Sequence, residues 1–96
     1  MRPVRWSHKA NRALARIYMF VGQRDIDAAA AVTRRIVDAV NSLGDYPTGR
    51  PGRVIGTYEK SLVDLQYIVQ YRMKRANTEV EIIILDIKHS RQNWPR

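Results

Sequence analysis

Arg50 and Arg53 stand in Asp45-Tyr46-Pro47-Thr48-Gly49-Arg50-Pro51-Gly52-Arg53, a loop dense in proline and glycine. Such a loop restricts the backbone, so two guanidinium forks carried on it are partly ordered for phosphate contact; two solvated loop arginines are the plain alternative. His89 follows an apolar run and precedes Ser90, Arg91, Gln92, Asn93 and Trp94. In that position it could protonate a leaving 5′ oxygen, with Glu59 as the base that takes a proton from a ribose 2′-hydroxyl. The plainer reading is a histidine that anchors the C-terminal segment through a backbone hydrogen bond. Arg72 is either a substrate contact or the cross-strand partner of Glu79 or Glu81. Arg91 adds a cation beside His89, and Trp94 either stacks a base or packs against the fold.

The wider composition narrows the partners. Among 96 residues, 17 cations face 9 carboxylates, a formal charge of +8, and thirteen of the cations are arginine. Polyanions and acidic proteins are the natural partners of such a chain. Eight cations against four carboxylates in residues 1–45, and nine against five in 46–96, leave +4 in each half. The field therefore belongs to the whole molecule and not to a basic arm. No cysteine is present, which excludes disulfide scaffolds, cysteine-ligated zinc and thiol nucleophiles. Glycine phosphate loops, HExxH and GxSxG are all absent. His8 and His89 lie 81 residues apart, and no spacing of carboxylates completes a metal site around either. No metal and no cofactor is expected. No apolar run reaches the roughly 18–20 residues that cross a bilayer, and Met1–Trp6 holds no hydrophobic region of signal-peptide length. The expected compartment is the cytoplasm, with no membrane partner.

Periodicity supplies the elements that must hold these groups. Ser7 caps a helix whose stripe is Ala10, Leu14, Ile17, Tyr18 and Val21, with Lys9, Arg12 and Arg16 on the far side and Gly22 as a left-handed stop. Asp25 caps a second helix with the stripe Ala29, Val32, Ile36, Val40 and Leu43, ended by Gly44 and Pro47. The short link makes the two an antiparallel hairpin. Met19 and Phe20 sit off the first stripe and form a docking patch or lean over a loop. Val54–Tyr58 reads as a short strand continuing toward Ser61-Leu62-Val63, Tyr67–Met73 as a strong strand, Lys74–Thr78 as a polar turn, and Val80–Ile87 as a covered strand. Pro3–Trp6 adds an edge strand. The chain is expected to be one domain, residues 1–96, of α+β class: β-α-α-β-β-β, a helical hairpin packed on a small, mainly antiparallel sheet.

In this order the motifs resemble those of the RelE/ParE superfamily of bacterial type II toxins. The resemblance runs through Trp6-Ser7 with Ala10 and Leu14; Leu43 and Pro47 before Gly49–Arg53; Gly56-Thr57-Tyr58-Glu59; Tyr67–Arg72; Val80–Ile87; and the closing His89-Ser90-Arg91-Gln92-Asn93-Trp94-Pro95. It implies a growth-arresting toxin neutralised by a cognate antitoxin whose toxin-binding segment is acidic. The helical hairpin, through Leu14, Ile17 and Met19, is the expected antitoxin surface, because a partner helix can extend its apolar stripe.

Two activities diverge within that superfamily. RelE-like members cleave mRNA on the ribosome without metal; ParE-like members poison DNA gyrase. The basic pair of some RelE-like toxins falls here at Glu59 and Ser61, Ile68 stands where a strand arginine is frequent, and Tyr58 replaces another arginine. The pattern is closer to the ParE-like or generic plasmid-stabilisation branch, which favours gyrase slightly over mRNA as the target. If the chain is a nuclease, His89, Glu59 and Arg72 are its catalytic candidates. Arg50, Arg53, Arg91 and Trp94 are the candidates for nucleic-acid or target contact. A toxin that has kept only antitoxin binding is the further alternative.

Overall fold

Side-chain caps start both helices. Ser7 lies in extended backbone and its Oγ accepts the Ala10 amide at 3.0 Å, opening α1 (His8–Gly22). Asp25 repeats the device for α2 (Ile26–Ser42), with Oδ1 accepting the Ala28 amide at 3.1 Å. Both come from a computed structural model of the chain, which describes residues 1–91.

Two expectations about α1 are corrected. Tyr18 is 42% exposed and not part of the buried stripe; Ala10, Ala13 and Ile17 are buried instead, with Leu14 and Val21 packed at the margin. The buried face is centred on Ala10, Ala13 and Ile17, and Tyr18 falls on its flank beside Leu14 and Met19. Gly22 is not a left-handed stop. The turn closes right-handed at Gln23 (φ −59), and the amides of Arg24 and Asp25 both donate to the Val21 carbonyl at 3.1 Å, feeding straight into the next cap. Gly44, after α2, is needed for space. A Cβ there would lie 2.5 Å from the Arg2 carbonyl and 3.2 Å from Val4 Cγ2. Its own carbonyl accepts the Arg2 amide at 2.8 Å, tying the N-terminal strand to the end of the hairpin.

Among the described residues the strands form one five-stranded sheet, with a single 3-10 turn at Val63–Leu65 between two of them. β1 is Val4–Trp6, β2 Arg50–Pro51, β3 Tyr58–Leu62, β4 Tyr67–Ala76 and β5 Glu79–His89, in the spatial order β1-β5-β4-β3-β2. Among the described residues β1 and β5 run parallel and the other pairs antiparallel. The α+β architecture is as expected, with the two-residue β2 added. The expected strand over Val54–Tyr58 is corrected: Val54–Thr57 is a turn, and pairing starts at Tyr58. The Thr57 amide and hydroxyl both donate to the Val54 carbonyl, at 3.1 and 2.7 Å, which folds those residues on themselves. The turn expected over Lys74–Thr78 shrinks to Asn77 and Thr78, because Lys74–Ala76 pair with Glu81–Glu79 and Asn77 takes the left-handed conformation (φ 57).

The core lies between the hairpin and one face of the sheet. Ile36, Val40 and Leu43 of α2 meet Val69, Tyr71, Ile82, Ile84 and Ile87. At its centre Tyr71 is fully buried. Its ring stacks on Tyr58 at 5.5 Å, and its hydroxyl is shared between the carbonyls of Pro47 and Thr48 at 3.2 and 3.1 Å. Replacing Tyr71 with phenylalanine leaves both carbonyls without that donor. Denaturant unfolding is expected to show a loss of about 1–3 kcal/mol.

Burial pushes the phenols of Tyr67 and Tyr71 above the ordinary 10.0, with the neighbouring Tyr58 adding to the rise at Tyr71. A raised folded pKa means the neutral forms support folding fully below pH 10.0, and that support is lost as pH climbs through the raised values. Thermal melts taken at increasing alkaline pH should show this decline, and Tyr71→Phe should make it shallower.

Candidate functional site

The proline–glycine loop is pinned by one buried carboxylate. Glu59 on β3 is 3% exposed, and its Oε2 accepts the Arg53 amide at 2.9 Å. Gly52 packs directly over it: a Cβ at 52 would lie 3.3 Å from Glu59 Cγ and 2.5 Å from Thr57 Oγ1. Arg50 pairs with Glu59 through the backbone and is exposed, as is Arg53. The carboxylate thus organises the loop that presents the two arginines. A charge-assisted hydrogen bond of this kind is stronger than a neutral one.

The strand register separates the nuclease candidates. Glu59 lies opposite Gln70, and Arg72 opposite Ile83, so both occupy the sheet face turned away from the helices. Arg72 is exposed and is not paired with Glu81, whose Oε2 instead meets Arg5 Nε at 3.1 Å; the cross-strand rung to Glu81 is held by Lys74. His89 lies opposite Tyr67 and shares the helix-side face with Val69 and Tyr71. Its ring meets Tyr67 edge-on at 5.5 Å, and Nδ1 accepts the Arg91 amide at 3.2 Å. Arg91 is exposed in the turn after β5. Glu59 and Arg72 are therefore together on one side and His89 on the other, while Trp94 lies outside the described residues.

A bulge decides this outcome. Gln70 pairs with Asp86 and Tyr71 with Ile84, which leaves Leu85 as an extra residue on β5. Simple alternation from Ile82 and Ile84 would send His89 to the outer face. The extra residue reverses the phase, so Ile87 joins the core and His89 follows it. Nothing in the apolar run Val80–Leu85 reveals this; Asp86, the first charge in the run after Glu81, is the only break. At the bulge Asp86 is 3% exposed, its Oδ1 accepts the Ile87 amide at 2.8 Å, and Lys9 and Lys88 approach its other oxygen at 3.6 and 3.9 Å.

Two concavities flank α1. One, about 470 Å³, runs between α1 and the end of β5 and is lined by Arg16, Ile17 and Phe20 with Tyr67, Ile87 and His89. The other, about 390 Å³, lies between the helices and is lined by Asn11, Leu14, Ala15, Tyr18, Met19 and Thr33. Leu14 and Met19 thus share a groove, whereas Ile17 is buried and faces the sheet. Tyr18, assigned to the core by periodicity, completes the groove. Its phenol was the missed signal: a large polar-tipped ring beside Met19 suits a half-wet surface better than a core. Among the described residues no three of His, Asp and Glu converge as a metal would require.

Comparison with known proteins gives a consistent set of relatives. A family model described as the ParE toxin of the parDE type II toxin–antitoxin system matches residues 4–94. Y4kP of Sinorhizobium fredii, named as a candidate toxin, is 42% identical over 94 residues, which cover 97% of this chain and 93% of that protein. A structure described as the chromosomal ParDE toxin–antitoxin system of P. aeruginosa superposes with a TM-score of 0.81 at 28% identity, covering 93% of this chain and 96% of the other. The fold alone is shared with a YoeB/ParE toxin from Agrobacterium tumefaciens, at a TM-score of 0.59 and 15% identity over 91% and 97% of the two chains.

If Glu59 holds the loop, Glu59→Ala should lower folding stability by about 1–3 kcal/mol and speed hydrogen exchange of the Arg53 amide. Glu59→Gln keeps an acceptor oxygen and should lose less on both counts.

Proposed function

The chain belongs to the ParE family of type II toxins, and from that premise we propose that it arrests growth by poisoning DNA gyrase until a cognate antitoxin covers it. The observation that carries the choice of target is the separation of Glu59 from His89. A general acid and a general base must flank one scissile bond, and these two sit on opposite faces of the sheet with Glu59 engaged by the Arg53 amide. The exposed arginines at 50, 53, 72 and 91 are then target-facing cations and not parts of a proton relay.

The antitoxin reading rests on the inter-helix groove. Leu14, Tyr18 and Met19 offer apolar and aromatic surface on a basic molecule, a suitable seat for an amphipathic helix with acidic flanks. Ile17 is not part of that groove: it is buried and lines the concavity between α1 and β5. No helix among the described residues is long and apolar enough to cross a membrane, and the toxin acts in the cytoplasm on this reading.

The second reading, metal-independent mRNA cleavage at the ribosome, draws on the exposure of Arg50 and Arg72 on the open side of the sheet. A direct comparison separates the two. Purified toxin should cause gyrase-dependent double-strand cleavage of plasmid DNA and leave ribosome-bound mRNA intact. Codon-linked mRNA cutting that disappears in His89→Ala and Arg50→Ala would overturn the gyrase assignment. Absence of growth arrest on inducing the chain without antitoxin would point instead to a toxin reduced to antitoxin binding.

Charge placed in the groove tests the partner surface. Leu14→Asp and Met19→Asp should each weaken antitoxin binding by about tenfold or more, since each puts a carboxylate where apolar area must be buried. Isothermal titration with the cognate antitoxin reads the change.

A further inference from the structure

Ile55 is 99% exposed at the tip of a turn that the fold holds rigidly. Val54–Thr57 is closed by the Thr57 amide and hydroxyl on the Val54 carbonyl, and its base by the Gly52 amide on the Thr57 carbonyl at 2.8 Å. Glu59 pins the approach through the Arg53 amide. Gly56 supplies the positive φ of +86 that the third position of a type II turn requires. An unsupported apolar side chain on a mobile loop would need no explanation. One raised on a turn fixed at both ends is preorganised for insertion, because little freedom remains to be lost on binding.

The neighbours of Ile55 indicate what it enters. Arg50 and Arg53 are exposed on the same loop, and between Tyr46 and Tyr58 the chain has no carboxylate at all. Of the two acids that flank this segment, Glu59 is buried beneath the loop and Asp45 lies outside it, in the turn after α2. An apolar tip flanked by arginines in an acid-free segment matches the chemistry by which proteins wedge an aliphatic side chain between base steps while cations take the adjoining phosphates. We propose that the 50–57 loop is a duplex-DNA contact, with Ile55 as a wedge at a base step and Arg50 on the phosphate backbone. The inference deepens the gyrase reading and rests on it for its biological setting: the toxin touches the DNA that gyrase holds, on a surface separate from the inter-helix groove. A bound antitoxin helix and a bound duplex would occupy different sides of the molecule.

The test uses the full chain, free of antitoxin, and a short duplex carrying 2-aminopurine, whose fluorescence rises when its base step is unstacked. Wild-type protein should raise the fluorescence. Ile55→Ser should abolish the rise and weaken binding by about tenfold, with the salt dependence of binding unchanged. Ile55→Leu should restore both. Gly56→Ala keeps the isoleucine but strains the turn, and should weaken binding as well. Arg50→Gln should leave the unstacking signal at saturation but flatten the plot of log affinity against log salt by about 0.9. Melting curves matching wild type confirm that each variant is folded.

Equal binding by Ile55→Ser and wild type overturns the proposal. So does an Ile55-dependent interaction with gyrase in the absence of DNA, or single-stranded RNA bound as tightly and with the same dependence on Ile55. Gyrase-dependent cleavage by wild type is measured alongside. Cleavage that survives Ile55→Ser, with no unstacking by either protein, sinks the DNA contact and leaves the gyrase reading in place. Unstacking without any gyrase-dependent cleavage does the reverse.

Discussion

Much of this molecule depends on one hydroxyl group. Tyr71 lies at the middle of the longest strand pair, fully buried, with its ring against Tyr58 and its oxygen reaching the carbonyls of Pro47 and Thr48. The contact joins three parts of the molecule directly: the core face of the sheet, the exit from α2, and the start of the arginine loop. Buried backbone carbonyls need donors, and a chain leaving a helix end has few at hand. Here the sheet provides one. Gly49 follows immediately, at φ +154, where a Cβ would come within 2.7 Å of the same oxygen. The position of the loop is thus determined from inside the core before Glu59 fixes its far end.

The elements most legible in the sequence were those determined locally. Ser7 and Asp25 cap where hydroxyl and carboxylate side chains cap elsewhere, and the stripe of α2 points to the sheet as its spacing requires. Along β4 Val69 and Tyr71 face the helices, while Gln70 and Arg72 do not, as simple alternation requires. What escaped was whatever depends on a distant partner. A wheel centred on Leu14 counts Tyr18 as core, whereas the buried arc is centred on Ala10, Ala13 and Ile17 and leaves Tyr18 on the flank. Val54 and Ile55 look like strand residues by composition. The Thr57 hydroxyl and Gly56 turn them into a loop, and β-branched residues tolerate a turn when the glycine beside them takes the strained angle.

The division of surfaces follows from the same architecture. The helical hairpin covers one face of the sheet, and on the other Ile68 and Glu59 are buried while Arg72 is exposed, so the molecule has two unlike sides. In this chain the groove with Leu14, Tyr18 and Met19 belongs to the helical side. The exposed Arg50 and Arg72 belong to the strands and their loops. On the proposed reading the even spread of charge along the sequence suits both, since a diffuse positive field draws an acidic partner and a polyanionic target alike.

The extra residue at Leu85 has a consequence for comparing this chain with its relatives. Strand side chains alternate, so one inserted residue exchanges inside for outside for everything downstream. A relative whose final strand has the same length but runs without the bulge would turn the residue in the column of His89 to the outer face, the face that carries Arg72. Column-by-column transfer of roles across such a pair would equate two residues that occupy different environments. In this fold the last strand's parity, and not the identity of its final histidine, determines which chemistry that histidine can join.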